Sequence, residues 1–145
     1  MICVDASLVL AWVLPEEISS KAIQARRQWD AGGERLVAPG FLQVEVTSVL
    51  RSAVYRGRIT IDEGDGAFYS FRRMAIWYLE PKNLVEDAWK VAQKLNSPRA
   101  YDMFYVALAE SQACDLWTAD ERLVNFVGPR SNVRWVGDVE LEEPV

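Results

Sequence analysis

The chain has 145 residues, 50% hydrophobic and 26% charged, which suits one folded domain over residues 1–145 and excludes intrinsic disorder. It contains no histidine, so Ser-His-Asp and Cys-His catalysis, His-ligated zinc and imidazole acid–base chemistry are excluded. The formal charge of -5 is uneven: Asp138, Glu140, Glu142 and Glu143 crowd the last eight residues, leaving a nearly neutral body of 16 basic against 17 acidic groups.

In chain order, Ile2–Val4 reads as a short apolar strand, and Asp5 or Ser7 can cap a helix that runs through Leu14. This opening is apolar enough to resemble a signal peptide, but it lacks a basic start and carries Asp5 inside the apolar run. Pro15 and two glutamates are expected to open a second helix through about Ala31, closed by Gly32-Gly33. Leu36–Ala38 is a strand, and Pro39-Gly40 leads into a helix over Phe41–Arg56 that stops at Gly57. Thr60 and Glu63 form a capping-box pattern for a helix to about Met74. Ile76–Leu79 is a strand, and helices follow at Leu84–Leu95 and Ala100–Ala113. Leu116–Thr118 is a strand, Glu121–Phe126 a short helix, and Val133–Val136 closes the sheet.

Short apolar strands alternating with helices predict a parallel α/β sheet covered on both faces. In such folds ligands bind beyond the carboxyl ends of the strands. No apolar stretch reaches the roughly 18 residues of a membrane span. Cys3 and Cys114 are too few for a disulfide framework or a thiolate zinc site and read as reduced core residues of a cytosolic protein. No Gly-rich phosphate loop is present.

Four carboxylates stand out. Asp5 directly follows the first strand and Asp120 follows the strand ending at Thr118; each can also be a simple helix cap. Glu45 lies between Phe41 and Val49 on the arc of its helix that also holds Leu42, Val46 and Ala53. A carboxylate at the edge of a core-facing stripe requires an ion pair, such as an Arg from another helix, or a cation. Asp102 falls in the first turn of its helix, beside Val106 and between Ala109 and Ala113, where the helix N-terminus favours negative charge. Four clustered carboxylates cannot all stay ionised in a half-buried pocket without a cation. Oxygen donors without His or Cys select hard ions such as Mg²⁺ or Mn²⁺. A carboxylate-held ion that keeps waters is the apparatus of phosphodiester hydrolysis.

The segments Ile-Cys-Val-Asp5-Ala-Ser7, Glu45-Val-Thr-Ser-Val-Leu, Tyr101-Asp102 with Ala107-Leu-Ala, and Trp117-Thr118-Ala-Asp120-Glu-Arg-Leu123 resemble, in this order, the PIN-domain ribonucleases. More narrowly they resemble the VapC-type toxins of VapBC toxin–antitoxin pairs. The resemblance implies a three-layer α/β/α fold with a central five-stranded parallel sheet. It also implies Asp5, Glu45, Asp102 and Asp120 as a Mg²⁺ or Mn²⁺ site, with Ser7 and Thr118 as small hydroxyls beside it. No fifth acid is evident; Asn125 is the nearest polar residue. Implied partners are an RNA substrate and a VapB-type antitoxin.

Two alternatives stand beside this reading. A haloacid-dehalogenase-like phosphatase would also use a strand-end Asp and Mg²⁺, but Asp5-Ala-Ser lacks the second Asp of that motif. A non-catalytic PIN-like interaction domain would keep the fold without the chemistry. Twelve of the sixteen cations are Arg, which grips phosphate in a planar fork; Arg51, Arg99 and Arg122 are the candidates for RNA contact. Within Phe68–Tyr78, Phe68, Phe71, Met74 and Ala75 share one helical arc and read as core, leaving Tyr69, Arg72 and Arg73 to solvent or a partner. Leu8–Leu14 is apolar around its circumference, so it is buried or covered by another chain. With the aromatic helix after Thr60, it suggests surface for a homodimer and an antitoxin helix.

Overall fold

A computed structural model describes residues 1–129 and 131–143. Five strands, β1 (Ile2–Val4), β2 (Leu36–Ala38), β3 (Ile76–Tyr78), β4 (Asp115–Thr118) and β5 (Val133–Trp135), form one parallel sheet in the order β3-β2-β1-β4-β5. Among the described residues seven α-helices cover it: α1 (Ala6–Val13), α2 (Ser19–Ala31), α3 (Phe41–Tyr55), α4 (Ile61–Arg72), α5 (Leu84–Lys94), α6 (Tyr101–Ser111) and α7 (Glu121–Val127). The expected three-layer α/β/α arrangement is the one observed. Strand order reverses at β1, which has β2 on one side and β4 on the other. The crevice at the carboxyl ends of β1 and β4 is therefore the switch point where such sheets hold their ligands.

The centre of the sheet is dry. Cys3, Val4, Val37, Ala38 and Leu116 are fully buried, as strands covered on both faces require. Above them α1 packs on α2, α3 and α4, while α6 packs on α5, β1 and β4. Helix α6 buries Met103 and every residue from Tyr105 to Ala109, and this fixes the direction of its first turn. Trp12 stands edge-on to Trp29, with ring centres 6.3 Å apart, and Trp29 leans on Trp117 at 5.4 Å. The Trp12 indole N–H also donates to the Ala22 carbonyl at 2.8 Å, so α2 is tied to both α1 and β4.

The capping box forms as expected: the Glu63 N–H donates to the Thr60 hydroxyl at 3.1 Å, and the Thr60 N–H to Glu63 Oε1 at 3.0 Å. Gly57 ends the preceding turn with a φ of 71°, in the left-handed region that glycine enters freely. A Cβ at Gly64 would stand 2.4 Å from Val54 Cγ2, so the glycine sets how closely α4 approaches α3.

Three expectations need correction. The second helix starts at Ser19, not at Pro15. Leu14 is extended, as a residue before proline prefers. The Ser19 hydroxyl donates to the Leu14 carbonyl and accepts from the Glu16 N–H, closing a turn between the helices. Leu8–Leu14 is covered by the chain itself: Leu8, Val9, Leu10 and Ala11 are buried, and Trp12, Val13 and Leu14 pack against the core. Only Trp12, Val13 and Leu14 keep part of their surface exposed. Helix α4 ends at Arg72, so the helical arc does not extend to Ala75, which is exposed. Phe71 is buried and Phe68 half-buried, as that arc predicts, and Tyr69 faces solvent.

Candidate active site

Asp5 follows β1 and caps α1, its Oδ1 accepting from the Leu8 N–H at 3.0 Å. The same oxygen accepts from the Ser7 hydroxyl at 2.7 Å, and Oδ2 accepts from the Thr118 hydroxyl. Those hydroxyls are themselves held by the backbone just after β4: the Ala119 N–H donates to Ser7 Oγ and the Asp120 N–H to Thr118 Oγ1, each at 3.0 Å. Asp5 is only 4% exposed, and every donor it meets is neutral. Burial raises its pKa to about 6 against the opposing pull of its hydrogen bonds, and the nearby Asp102 charge adds to the rise.

Asp120 also follows a strand and caps a helix, accepting from the Arg122 N–H at 3.0 Å. Its second partner is different in kind. The Arg122 guanidinium lies 3.1 Å from Asp120 Oδ1, so this carboxylate has a cation of its own. Both alternative readings of the strand-end acids, that they are helix caps, hold as geometry. Capping uses part of each carboxylate and leaves lone pairs over.

Glu45 projects from α3 and is half-buried. The expected Arg partner is absent among the described ion pairs; the Tyr105 hydroxyl donates to Glu45 Oε1 at 2.8 Å instead. Burial raises the Glu45 pKa, the Tyr105 hydrogen bond opposes this, and the Asp102 charge adds to it. Burial and the Glu45 charge together push the Tyr105 phenol far up, so it stays protonated and donates. Tyr105 is fully buried and is the one site neighbour missed in the sequence. It lies three residues beyond Asp102, one turn along the same face of α6, and that spacing could have revealed it.

Asp102, in the first turn of α6, links the others. Its pKa is raised by partial burial and by Asp120, with Arg122 opposing, and its own charge raises Asp5 and Glu45. Two open clefts of about 400 Å³ meet at Asp102 and Arg99: one is bounded by Phe41, Val44, Glu45 and Tyr101, the other by Met103, Asp120, Arg122 and Phe126. Arg99 and Arg122 thus flank the acids. Arg51 lies elsewhere, in the groove between α3 and α4 with its guanidinium over the Tyr55 ring. Asn125 is exposed on α7 and lines neither cleft.

The donor set suits a hard cation in its chemistry. All four side chains offer carboxylate oxygens, and Asp5, Glu45 and Asp102 make no ion pair among the described residues. No three acidic or cysteine side chains among the described residues stand close enough to hold one ion together. That spacing is compatible with Mg²⁺, which keeps several waters and takes one or two carboxylates rather than a protein cage.

Comparison with known proteins places the chain in a family. The PIN domain family matches residues 2–128. VapC ribonuclease Mb0985 of Mycobacterium bovis and ribonuclease VapC9 of Mycobacterium tuberculosis are each 37% identical over 123 residues, covering 85% of this chain and 88% of theirs. Ribonuclease VapC12 of Mycobacterium tuberculosis is 29% identical over 94% of this chain and 99% of its own. Among solved structures, PAE2754 from Pyrobaculum aerophilum superposes with a TM-score of 0.67 at 21% identity, over 94% of this chain and 89% of that one, a likeness of fold. The phosphatase alternative falls away, and the chain belongs to the PIN domain family, within its VapC group.

Proposed function

We propose that this protein is a divalent-metal-dependent endoribonuclease and the toxin of a toxin–antitoxin pair, with Asp5, Glu45, Asp102 and Asp120 as its metal-holding and catalytic carboxylates. The observation that carries this reading is the setting of Asp5. A buried carboxylate at the switch point, held by neutral donors and raised to a pKa of about 6, is costly unless a cation completes it. The curated relatives are named ribonucleases, and a hard cation serves phosphodiester hydrolysis.

The residues divide the work. Ser7 and Thr118 orient Asp5 and lock it to β4. Asp5 and Asp102 are the principal ligands for Mg²⁺ or Mn²⁺, with Asp120 at the open edge. When bound, the ion neutralises phosphate charge and lowers the pKa of a coordinated water. Glu45, its Oε1 held by the Tyr105 hydroxyl, keeps Oε2 free to take the proton of the attacking water. Arg99 and Arg122 hold the RNA backbone on either side of the acids, and Arg51 serves only a longer RNA that reaches the α3–α4 groove.

The partners follow from the same reading: an RNA substrate, a VapB-type antitoxin that restrains the nuclease, and a second copy in a homodimer. We further propose a single domain over residues 1–145 acting in the cytoplasm. No helix among the described residues is long and apolar enough to cross a membrane. Incubating the purified chain with total RNA in Mg²⁺, in Mn²⁺ and in EDTA tests the reading. Cleavage that needs the ion and disappears in Asp5→Asn supports it; cleavage in EDTA, or equal cleavage of DNA, opposes it.

A further inference from the structure

We propose that Tyr101 is a nucleobase-stacking residue: its exposed ring, held flat against Phe41 beside Glu45 and Asp102, receives an unpaired base of the RNA next to the bond that is cut. The inference rests on the ribonuclease reading above. Tyr101 opens α6 one residue before Asp102, and it is 60% exposed. Its ring lies nearly parallel to Phe41, with an interplanar angle of 13° and ring centres 5.8 Å apart. This is the offset stack that aromatic quadrupoles favour. Phe41 is fixed in turn by Phe104 at 6.1 Å and by Tyr105 at 6.4 Å. One face of Tyr101 is thus anchored through Phe41 to the core, and its orientation is set before any ligand arrives.

Such an arrangement suits RNA. Proteins read single-stranded RNA by splaying bases onto aromatic faces, and a rigid ring loses little entropy on binding. Tyr101, Arg99, Glu45 and Asp102 line one cleft, and Val44, 62% exposed, gives it an apolar side. Asp102 and Arg99 also border the second cleft. A strand whose phosphate sits over the acids must therefore send a neighbouring nucleotide into one cleft or the other. The cleft with Tyr101 offers a π-face; the exposed Arg99, with no described ion-pair partner, is free to hold the adjoining phosphate.

Metal-dependent cleavage of RNA by the unaltered chain is measured first and decides the ribonuclease reading by itself. The inference is then tested with Tyr101→Ala, Tyr101→Phe and Tyr101→Trp. The expected result for Tyr101→Ala is a KM raised about 5- to 150-fold with kcat little changed, the range that loss of one base stack produces. Phe and Trp should restore KM because they keep the ring. In an Asp5→Asn background, a short single-stranded RNA carrying a fluorescent purine analogue should be quenched on binding, and Tyr101→Ala should remove the quenching. An unchanged KM in Tyr101→Ala overturns the inference, as does quenching that persists without the ring. So does a Tyr101→Ala chain that cuts RNA normally but escapes its antitoxin, because the ring would then be a protein contact.

Discussion

Asp5 and Asp120 occupy equivalent places, each at the carboxyl end of a central strand and each capping the helix that follows, but their surroundings differ. Asp5 is buried and accepts only from a backbone N–H and two hydroxyls, whereas the Asp120 side chain is 32% exposed and paired with Arg122, itself 92% exposed. Helix capping leaves each acid able to take a further ligand: a carboxylate has about four lone-pair sites, and a cap uses one or two. What separates the two acids is whether the protein supplies the balancing charge. At Asp120 it does. At Asp5 it does not, and on the proposed reading a cation would.

The largest effect should separate the two acids in activity. Asp5→Asn is expected to lower RNA cleavage by more than about 100-fold, beyond the 10–100-fold typical of residues one shell away from a metal. Asp120→Asn should cost less, because its charge is already partly neutralised. Cleavage rates at saturating Mg²⁺ measure this, and equal losses would break the comparison.

Stability without metal should move the other way. The Asp5 pKa of about 6 stands above its unfolded value of 3.8, so the folded chain holds the proton more tightly than the unfolded chain. Stability is then greatest at low pH and falls as pH rises through about 6, by roughly 3 kcal/mol in all. Asp5→Asn escapes that loss but gives up one acceptor, at about 1 kcal/mol. It should be more stable than the parent by about 2 kcal/mol at pH 7 in EDTA, and the advantage should vanish near pH 4. Asp120→Ala loses a cap and should be less stable by about 1 kcal/mol. Urea melts of the three chains at pH 4, 6 and 7 would show the opposite signs.

A smaller effect should appear at Tyr105. Removing its hydroxyl in Tyr105→Phe deletes the only hydrogen bond described for the Glu45 side chain, and a bond to a charged acceptor is worth about 1.5–3 kcal/mol. The Glu45 pKa should rise, carrying the acid limb of the pH–rate profile to higher pH. An unmoved limb would exclude Glu45 as the proton acceptor. The smallest effect is expected at Arg122. Arg122→Ala should leave the melting temperature unchanged and tighten Mn²⁺ binding a few-fold at low salt by freeing Asp120, a gain that roughly 1 M salt screens away.

Most of the fold was legible because its determinants are local. The strand ends at Asp5 and Asp120, the Thr60–Glu63 box and the Gly57 stop depend on residues a few positions apart, and each appears where the sequence places it. The start of α2 was not legible, since Pro15 is compatible with a first helical turn and only the Ser19 hydroxyl, reaching back to Leu14, decides otherwise. The apolar circumference of Leu8–Leu14 showed that the helix must be covered but not by what. Here α2, α3 and α4 cover it. At the candidate site, residue types and order were visible, while the partner of Glu45 was not. Tyr105 comes from α6, sixty residues away, and nothing local to Glu45 distinguishes a phenol from a guanidinium. Arg51 shows the reverse error, being near Glu45 in sequence but turned into the α3–α4 groove.

If Asp5 and Asp102 ligate one divalent ion and Glu45 and Asp120 reach it through its waters, titration of Mn²⁺ followed by electron paramagnetic resonance shows this most directly. The parent chain should bind Mn²⁺ above pH 6, with Mg²⁺ displacing it. Asp5→Asn and Asp102→Asn should abolish binding, and Glu45→Gln and Asp120→Asn should weaken it. Binding of Mn²⁺ that survives the loss of both Asp5 and Asp102, or no binding by the parent chain at all, would contradict the account.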